Sequence, residues 1–542
     1  MMIDLLYPED CEKNIKFLIS PSAVSNLEIE YIASLICPYN TAYALKILSE
    51  FTADINVIHY RQGILRDFID VPQLEGMLYN SLHTIYNNSK SVFAKAGSTQ
   101  SFFEISENIE HIDSYIDCIN SCHTFYEKHF SKLKSAGMKR VVKELENKYS
   151  SEEFHTLISE ITELKEVMAG GIKSVTFGVN LDNLMHPSEI ALLSVSKEPF
   201  REKKLFEKLF SKEQRAEPIS NIYCRKSKEG SVVAINQKLF SEIDALSGEY
   251  TKHFNTALRA YYSSSVNFLL QIEPQINFYV GVINMMRRFA KMNLPVSIPE
   301  ILPKEDRIYH CHEMYDMVFA SKMYSRFSTE YNSAPLISTN DCKMDEKAEI
   351  LILTGPNNGG KTTYTRAAGI NQVMGQCGLF IAGKTAQISI VNELFVHFPK
   401  EEEIGINTSR FTEECKEFKA TTERATEYSM ILMNESLSST TPTECLLIAE
   451  ELMKIFSHIG VRLIFTTHIR ELVEKIPQIN SVNPQSLLGS ITALCDKEGK
   501  PLYKIVEGFD DSYKNARYIF ERFGISYEEY LKNKKNFDDL NQ

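Results

Sequence analysis

Apolar positions recur at helical spacing through most of the first 170 residues and again from Gln237 to about Met292, whereas beyond residue 345 they gather into short unbroken runs. The first pattern predicts amphipathic helices, and the second predicts strands buried on both faces. Residues 1–60 read as short helices broken at Pro21 and Pro38. From Asp54 to about Phe130 the pattern is helical, with Leu65, Phe68, Ile69, Leu74, Met77 and Leu78 near one face. Residues 131–169 form a charged, amphipathic helix pair, the kind found in arms and coiled coils rather than in compact cores. Gly170 and Gly171 break that helix. Residues 172–181 then alternate like a strand, and 189–196 follow after a turn at His186 and Pro187, which predicts a small β-hairpin at the end of a helical arm. Phe240, Ile243, Leu246, Tyr250, Phe254 and Leu258 share one side of a returning helix. Pro295, Pro299 and Pro303 mark a boundary; beyond it, 305–510 reads as an α/β domain, followed by a helical tail within 511–542.

A chain of 542 residues is too long for a single core and is expected to hold several units. Its net charge of −12 excludes a uniformly basic nucleic-acid coat. Residues 197–228 depart from that average: ten lysines and arginines stand against five glutamates, a local balance of about +5. Lys203, Lys204, Lys208, Lys212 and Arg215 are the candidate contacts to a phosphate backbone there. A solvated helix face of mixed charge accounts for the same composition equally well. The eleven cysteines are odd in number and follow no framework, which suits thiols in a reducing cytosol and a cytoplasmic protein. His310, Cys311 and His312 are adjacent, so their side chains diverge, and the cluster reads as structural rather than metal-binding. The N-terminus has acidic residues and no long apolar run, unlike a signal peptide. No apolar stretch approaches the roughly 20 residues that cross a bilayer, so no membrane association is expected.

The candidate chemistry lies in the strand-like runs. AEILILT (348–354) leads directly into GPNNGGKTT (355–363), which satisfies the phosphate-loop pattern G-x-x-x-x-G-K-[ST] with Gly355, Gly360, Lys361 and Thr362 at the fixed positions. Gly355, Pro356, Asn357, Asn358, Gly359 and Gly360 would curl the backbone so that successive N–H groups face an anion, and Thr363 continues into a helix whose positive end adds to the field. Lys361 would reach the β- and γ-phosphates of ATP, and the Thr362 hydroxyl would ligate Mg²⁺. The second strand, YSMILMNE (428–435), ends at Asn434 and Glu435. Glu435 is placed to orient or deprotonate an attacking water. Asn434 stands where such sites carry an aspartate; its amide oxygen can hold a metal-bound water but brings no charge, so weaker Mg²⁺ binding or slow turnover is expected. The third strand, VRLIFTTH (461–468), ends at His468, facing the crevice at the carboxyl ends of the strands. His468 serves equally as a contact to the γ-phosphate or water, or as a structural residue.

GPNNGGKTT, TSRFTEE (408–414), ATEYSMILMNE (425–435), SSTTPTE (438–444) and TTHIREL (466–472) occur in the order and at the spacing of the MutS ATPase domain. MGQCGLFIAGKTAQISIVNELFVHF (374–398) also resembles that family between phosphate loop and signature. INVIHYRQGILRDFID (55–70) resembles the start of the MutS core, the arm and hairpin resemble its lever and clamp, and FYVGVINMMRRFAKMNLPVSIPEI (278–301) resembles the segment joining lever to ATPase. The resemblance is strong over 345–475 and weaker before it.

That resemblance implies an ABC-type P-loop NTPase domain over 305–510, preceded by a mostly helical core and lever over 54–304 with a β-containing clamp inserted at about 170–236, and a short helical segment over 1–53. It implies ATP and Mg²⁺ as ligands and a homodimer, with Ser409 meeting the γ-phosphate of the opposite subunit and Thr440 and Thr441 matching the loop after Glu435. ATP binding would close the dimer and its clamps on duplex or branched DNA. Too few residues precede the core for the mismatch reader and connector of a full-length MutS, no small nuclease domain follows the ATPase, and NESLSSTTP replaces a glycine-containing loop. These departures resemble short bacterial MutS-related proteins. The rival expectation is a scaffold in which ATP is a slow switch and the arms grip another protein.

Overall fold

The computed structural model describes residues 3–9, 11, 19–50, 52–94, 102–169, 174–181, 187–196, 198, 220–223, 266–330, 337–398, 410–437, 441–482, 484–496, 499–508, 527 and 529–531. Contacts divide the chain into two compact units: Asp4–Asp70 with Lys134–Gly137 and Asn277–Gln542, and the remainder.

The larger unit is built on a six-stranded sheet in the order Glu393–His397, Ser429–Asn434, Arg462–Thr466, Ile350–Thr354, Leu488–Cys495, Pro501–Glu507. The first five strands run parallel and the last is antiparallel. Three of these strands were legible as continuous apolar runs because every residue in them is buried. The edge strands Glu393–His397 and Pro501–Glu507 alternate or lie half exposed, so their apolar signal is weak. On one face, Ile350, Ile352, Ile431, Met433, Leu463 and Phe465 pack with Ala449, Met453 and Phe456 of the helix Pro442–Ile459. Ser-Thr-Thr-Pro signals the start of that helix: Thr441 caps it by accepting from the Glu444 N–H, and Pro442 occupies the first turn.

On the other face lies the helix Lys361–Gln376. Gly369 sits so close to the sheet that a Cβ there would come within 2.5 Å of Leu432 Cδ1 and 2.8 Å of Leu27 Cδ2. Only glycine permits that approach, which seats the N-terminus of this helix at the carboxyl end of the central strands. Asn371, Gln372 and Gln376, all fully buried, tie its far end to neighbouring backbone; Gln376 Nε2 donates to Thr52 O and Val391 O at 3.0 Å each. A second sheet, ordered Glu300–Leu302, Thr385–Ser389, Tyr309–Met314, Asn340–Met344, flanks this helix. Strand alternation puts Cys311 in the interior, while His310 lies 3.3 Å from Asp345 and His312 is 64% exposed, 3.5 Å from Asp341.

The helices Pro21–Asn26, Ile29–Ile36, Thr41–Ser49 and Ile55–Asp70 belong to the same unit. Pro21 begins a helix rather than breaking one, because Ser20 caps it and proline suits the first turn. Leu65 and Phe68 are buried as expected, but Ile69 is 41% exposed: it falls one position round from the buried face. Arg61 is fully buried, donating through Nε to Leu6 O at 2.9 Å and standing over the Tyr7 ring.

The smaller unit contains the helices Gln73–Ala94, Phe102–His129 and Glu152–Ala169, and all but the first two residues of Ala136–Tyr149. Ile112, Ile119, Val142, Leu145, Phe154 and Leu157 are among its buried residues. The expected hairpin is present as Ser174–Leu181 paired antiparallel with Pro187–Ser196. A third strand, Ser220–Tyr223, adds to it, so the element is a three-stranded sheet rather than a hairpin. That strand is only four residues long and lies inside the charged segment, which masks its signal.

Candidate nucleotide site

The glycine-rich loop leaves the buried strand Ile350–Thr354 and enters the helix Lys361–Gln376. Gly355 has φ +131°, and a Cβ there would meet Ala493 O and Cβ at 2.8 Å, so the loop can leave the sheet at this point only without a side chain. Asn358 and Gly360 are also left-handed, at φ 58° and 89°, which rolls the loop over the helix N-terminus. Lys361 is 3% exposed; its Nζ donates to Gly355 O at 3.0 Å and Pro356 O at 2.9 Å. Burial pulls its pKa down, and the Glu435 carboxylate 4.0 Å away opposes that shift.

Three further groups arrive from the neighbouring strand ends. The Thr362 hydroxyl donates to Asn434 Oδ1 at 3.1 Å, joining the loop to the strand Ser429–Asn434. Glu435, one residue on, is left-handed at φ 49°, and its N–H donates to Thr466 O at 2.9 Å. His468, beyond the strand Arg462–Thr466, places Nε2 3.1 Å from Glu435 Oε1. That contact is the main reason the Glu435 pKa is lowered; partial burial works against it, and Lys361 adds to it. Behind these groups Thr365 and Thr466 share a hydrogen bond of 3.0 Å in the interior. The structure thus brings together Gly355, Lys361, Thr362, Asn434, Glu435 and His468. Ser409, Thr440 and the basic residues Lys203, Lys204, Lys208, Lys212 and Arg215 lie outside the described residues.

A cavity of about 770 Å³ opens beside the loop, a volume within the ordinary range for small-molecule sites. Pro356 through Tyr364 and Glu435 form one side; Phe319, Met323, Ile337 and Tyr503 supply apolar surface on the other. The sequence reading missed this second wall. Its members come from the segment before the loop and from the edge strand Pro501–Glu507, and Asn340 joins them by donating to Tyr503 O at 3.1 Å and accepting from Ile505 N at 2.8 Å. The apolar residues Leu502, Tyr503, Ile505 and Val506 were the one available signal. Tyr503 is left-handed at φ 53°, a conformation a bulky residue rarely adopts.

The helix Met317–Glu330, which carries Phe319 and Met323, is fixed by Asp316. That carboxylate accepts from the Val318 and Phe319 N–H groups at 2.9 and 3.0 Å and from Arg366 Nε at 2.6 Å. Burial pushes the Asp316 pKa up, although Arg366 and the two N–H groups oppose it. Arg366 NH1 donates onward to Glu28 Oε1 at 2.7 Å. The apolar wall is therefore pinned to the helix that begins at Lys361.

The site's residues fit a nucleoside triphosphate with a hard divalent cation: a buried ammonium and a glycine-rich loop at a helix N-terminus for phosphate, and two uncharged oxygens from Thr362 and Asn434 for an ion that keeps most of its waters. Among the described residues no group of three or more His, Cys, Asp or Glu side chains could hold a metal on its own, nor is any helix long and apolar enough to cross a membrane.

The family model for the MutS2 N-terminal domain matches residues 53–292, and that for MutS domain V matches residues 351–513. The DNA mismatch repair protein MutS of Geobacillus kaustophilus is 29% identical over 187 residues, covering 33% of this chain and 20% of the relative. Those of Brevibacillus brevis and Bacillus subtilis are 33% and 31% identical over 180 and 148 residues, covering 32% and 27% of this chain. The matched stretch spans a fifth or less of these relatives, 17% of the Bacillus subtilis protein and 20% of the other two.

Proposed function

Because this chain is a MutS-related protein, we propose that it hydrolyses ATP to ADP and phosphate at the glycine-rich loop and couples that cycle to closure of a homodimer on duplex or branched DNA. One observation carries the reading. A buried lysine, a threonine–asparagine pair and a carboxylate bonded to histidine meet at the ends of three adjacent parallel strands, beside a cavity of nucleotide size.

ATP would lie with its base toward Phe319, Met323, Ile337 and Tyr503 and its phosphates along Gly355–Thr363. Lys361 would exchange the Gly355 and Pro356 carbonyls for β- and γ-phosphate oxygens. Thr362 and, through a water, Asn434 would hold Mg²⁺, which when bound neutralises charge developing on the phosphates. Glu435 is ionised at neutral pH, since its pKa is lowered. His468 and Lys361 both approach Oε1, which leaves Oε2 to accept a proton from the attacking water. The water oxygen attacks the γ-phosphorus, and the bond to the β–γ bridging oxygen breaks as ADP leaves. His468 orients the carboxylate during this step.

Ser409 of a second copy would complete the γ-phosphate site, and Lys203, Lys204, Lys208, Lys212 and Arg215 would contact DNA phosphates without reading sequence. ATP turnover measured with and without duplex and branched DNA tests this reading. The expected result is a rate raised by DNA, with DNA affinity that falls steeply as salt rises. No stimulation and no salt-sensitive binding would overturn the DNA role.

A further inference from the structure

The turn that carries Glu435 has no glycine, yet two of its residues are left-handed: Glu435 at φ 49° and Leu437 at φ 69°. Such a turn persists only where its surroundings over-determine it. Glu435 is held by its N–H bond to Thr466 O, and Leu437 by a fully buried side chain and a carbonyl that accepts from Cys445 Sγ. Ser436 lies between them, 4% exposed, and its Oγ is 2.7 Å from Nδ1 of His397.

His397 ends the edge strand Glu393–His397, in register with Met433 of the strand that leads to Glu435. Its ring lies 4.9 Å from that of Phe418, and its Nε2 is 2.9 Å from Glu417 Oε2. Both Glu417 and Phe418 belong to the helix Arg410–Arg424. An ionised carboxylate only accepts, so Nε2 must carry the proton. In the neutral imidazole Nδ1 is then an acceptor and the Ser436 hydroxyl is its donor. Glu417 therefore sets the tautomer that holds Ser436, and a side chain in the helix fixes the turn beside the proposed base.

We propose that His397 is a positioning residue for ATP hydrolysis, a strut that ties the helix Arg410–Arg424 to the Glu435–Leu437 turn and so aims the Glu435 carboxylate. The inference rests on the ATPase reading above. His397 does not line the cavity beside the glycine-rich loop but a separate one, of about 160 Å³, with Glu417 and Phe418. Its removal should change kcat and leave the KM for ATP unaltered.

The test compares steady-state ATP hydrolysis and hydrogen exchange over 429–437 in the wild type, H397A, H397N, H397Q, S436A and E435Q. H397A and S436A should each lower kcat about 10- to 100-fold, the cost of a small misplacement of a reacting group, with KM within about twofold. The H397A/S436A double variant, measured alongside, should be no slower than either alone, since both remove one contact. Asparagine places its amide near the Nδ1 position and should recover most of the rate; glutamine reaches only the Nε2 position and should not. H397A should also speed amide exchange in the turn, a readout that needs no catalysis. Wild-type kcat and exchange in H397A, alongside an inactive E435Q, would overturn the strut and leave the ATPase reading standing. Equal rates in wild type and E435Q would overturn Glu435 as the base, and the exchange result would then decide the strut alone.

Discussion

The Lys361 ammonium lies 4.0 Å from the Glu435 carboxylate while donating to the carbonyls of Gly355 and Pro356. One cation is thus held between the loop that would receive phosphate and the acid that would activate water. Because burial lowers its pKa, the folded protein disfavours the charged form, a cost present below the folded pKa and relieved as pH rises toward the unfolded value of 10.5. Lys361→Met should therefore stabilise the ligand-free protein by about 1 kcal/mol while abolishing ATP binding. Denaturant melts and titration calorimetry check the two halves. ATP affinity within about tenfold of wild type would show that phosphate does not bind at this loop.

Glu435 gives the opposite sign. Its folded pKa is lowered, chiefly by His468, so its contribution to stability is present above the ordinary value of 4.5 and is lost as pH falls through the folded pKa. His468→Ala should remove most of that contribution, flattening the dependence of Tm on pH below about 4.5. An unchanged slope would separate His468 from the carboxylate in solution.

Asn434 is 5% exposed and accepts from Thr362. Asn434→Asp adds a charge at that point, next to Glu435. In the absence of metal the variant should be less stable, by about 1 to 3 kcal/mol, because a buried like charge is left unpaired. Mg²⁺ with ATP should restore the loss and raise turnover. Equal Mg²⁺ dependence in both proteins would place the ion elsewhere.

Arg366 and Asp316 set the distance between the helix Lys361–Gln376 and the apolar wall. Arg366→Ala should cost about 3 to 5 kcal/mol in denaturant melts, since it strands the buried Asp316 carboxylate, whereas Asp316→Asn should cost less, since Arg366 keeps its bond to Glu28. Replacing both with apolar residues of similar volume should cost less than either single change. If the paired replacement costs as much as the two singles together, the side chains do not act as a pair.

The loop and the two strand ends of the candidate site were legible in the sequence for a local reason. GPNNGGKTT follows its own strand directly, and Asn434, Glu435 and His468 each stand at the end of a continuous apolar run, so pattern and chemistry coincide within a few residues. The direct bond from Thr362 to Asn434 was not expected; the sequence suggested only that both serve one metal ion. What stayed hidden depends on residues far apart in the chain. Asp316 meets Arg366, Arg366 meets Glu28, Asn340 meets residues 503 and 505, and His397 meets Ser436 and Glu417. Each is ordinary in its own segment, and only the packing of helices and sheets brings it to its partner. The strand Ser220–Tyr223 was hidden differently, by the charge around it.

The central claim is that Glu435 serves hydrolysis at this site, and phosphate release at saturating ATP and Mg²⁺ tests it most directly in the wild type and Glu435→Gln. The glutamine keeps the shape of the side chain and loses its ability to accept a proton. The wild type should turn over, and the variant should fall by about 100-fold or more while binding ATP as tightly. Equal rates in the two proteins would contradict the account.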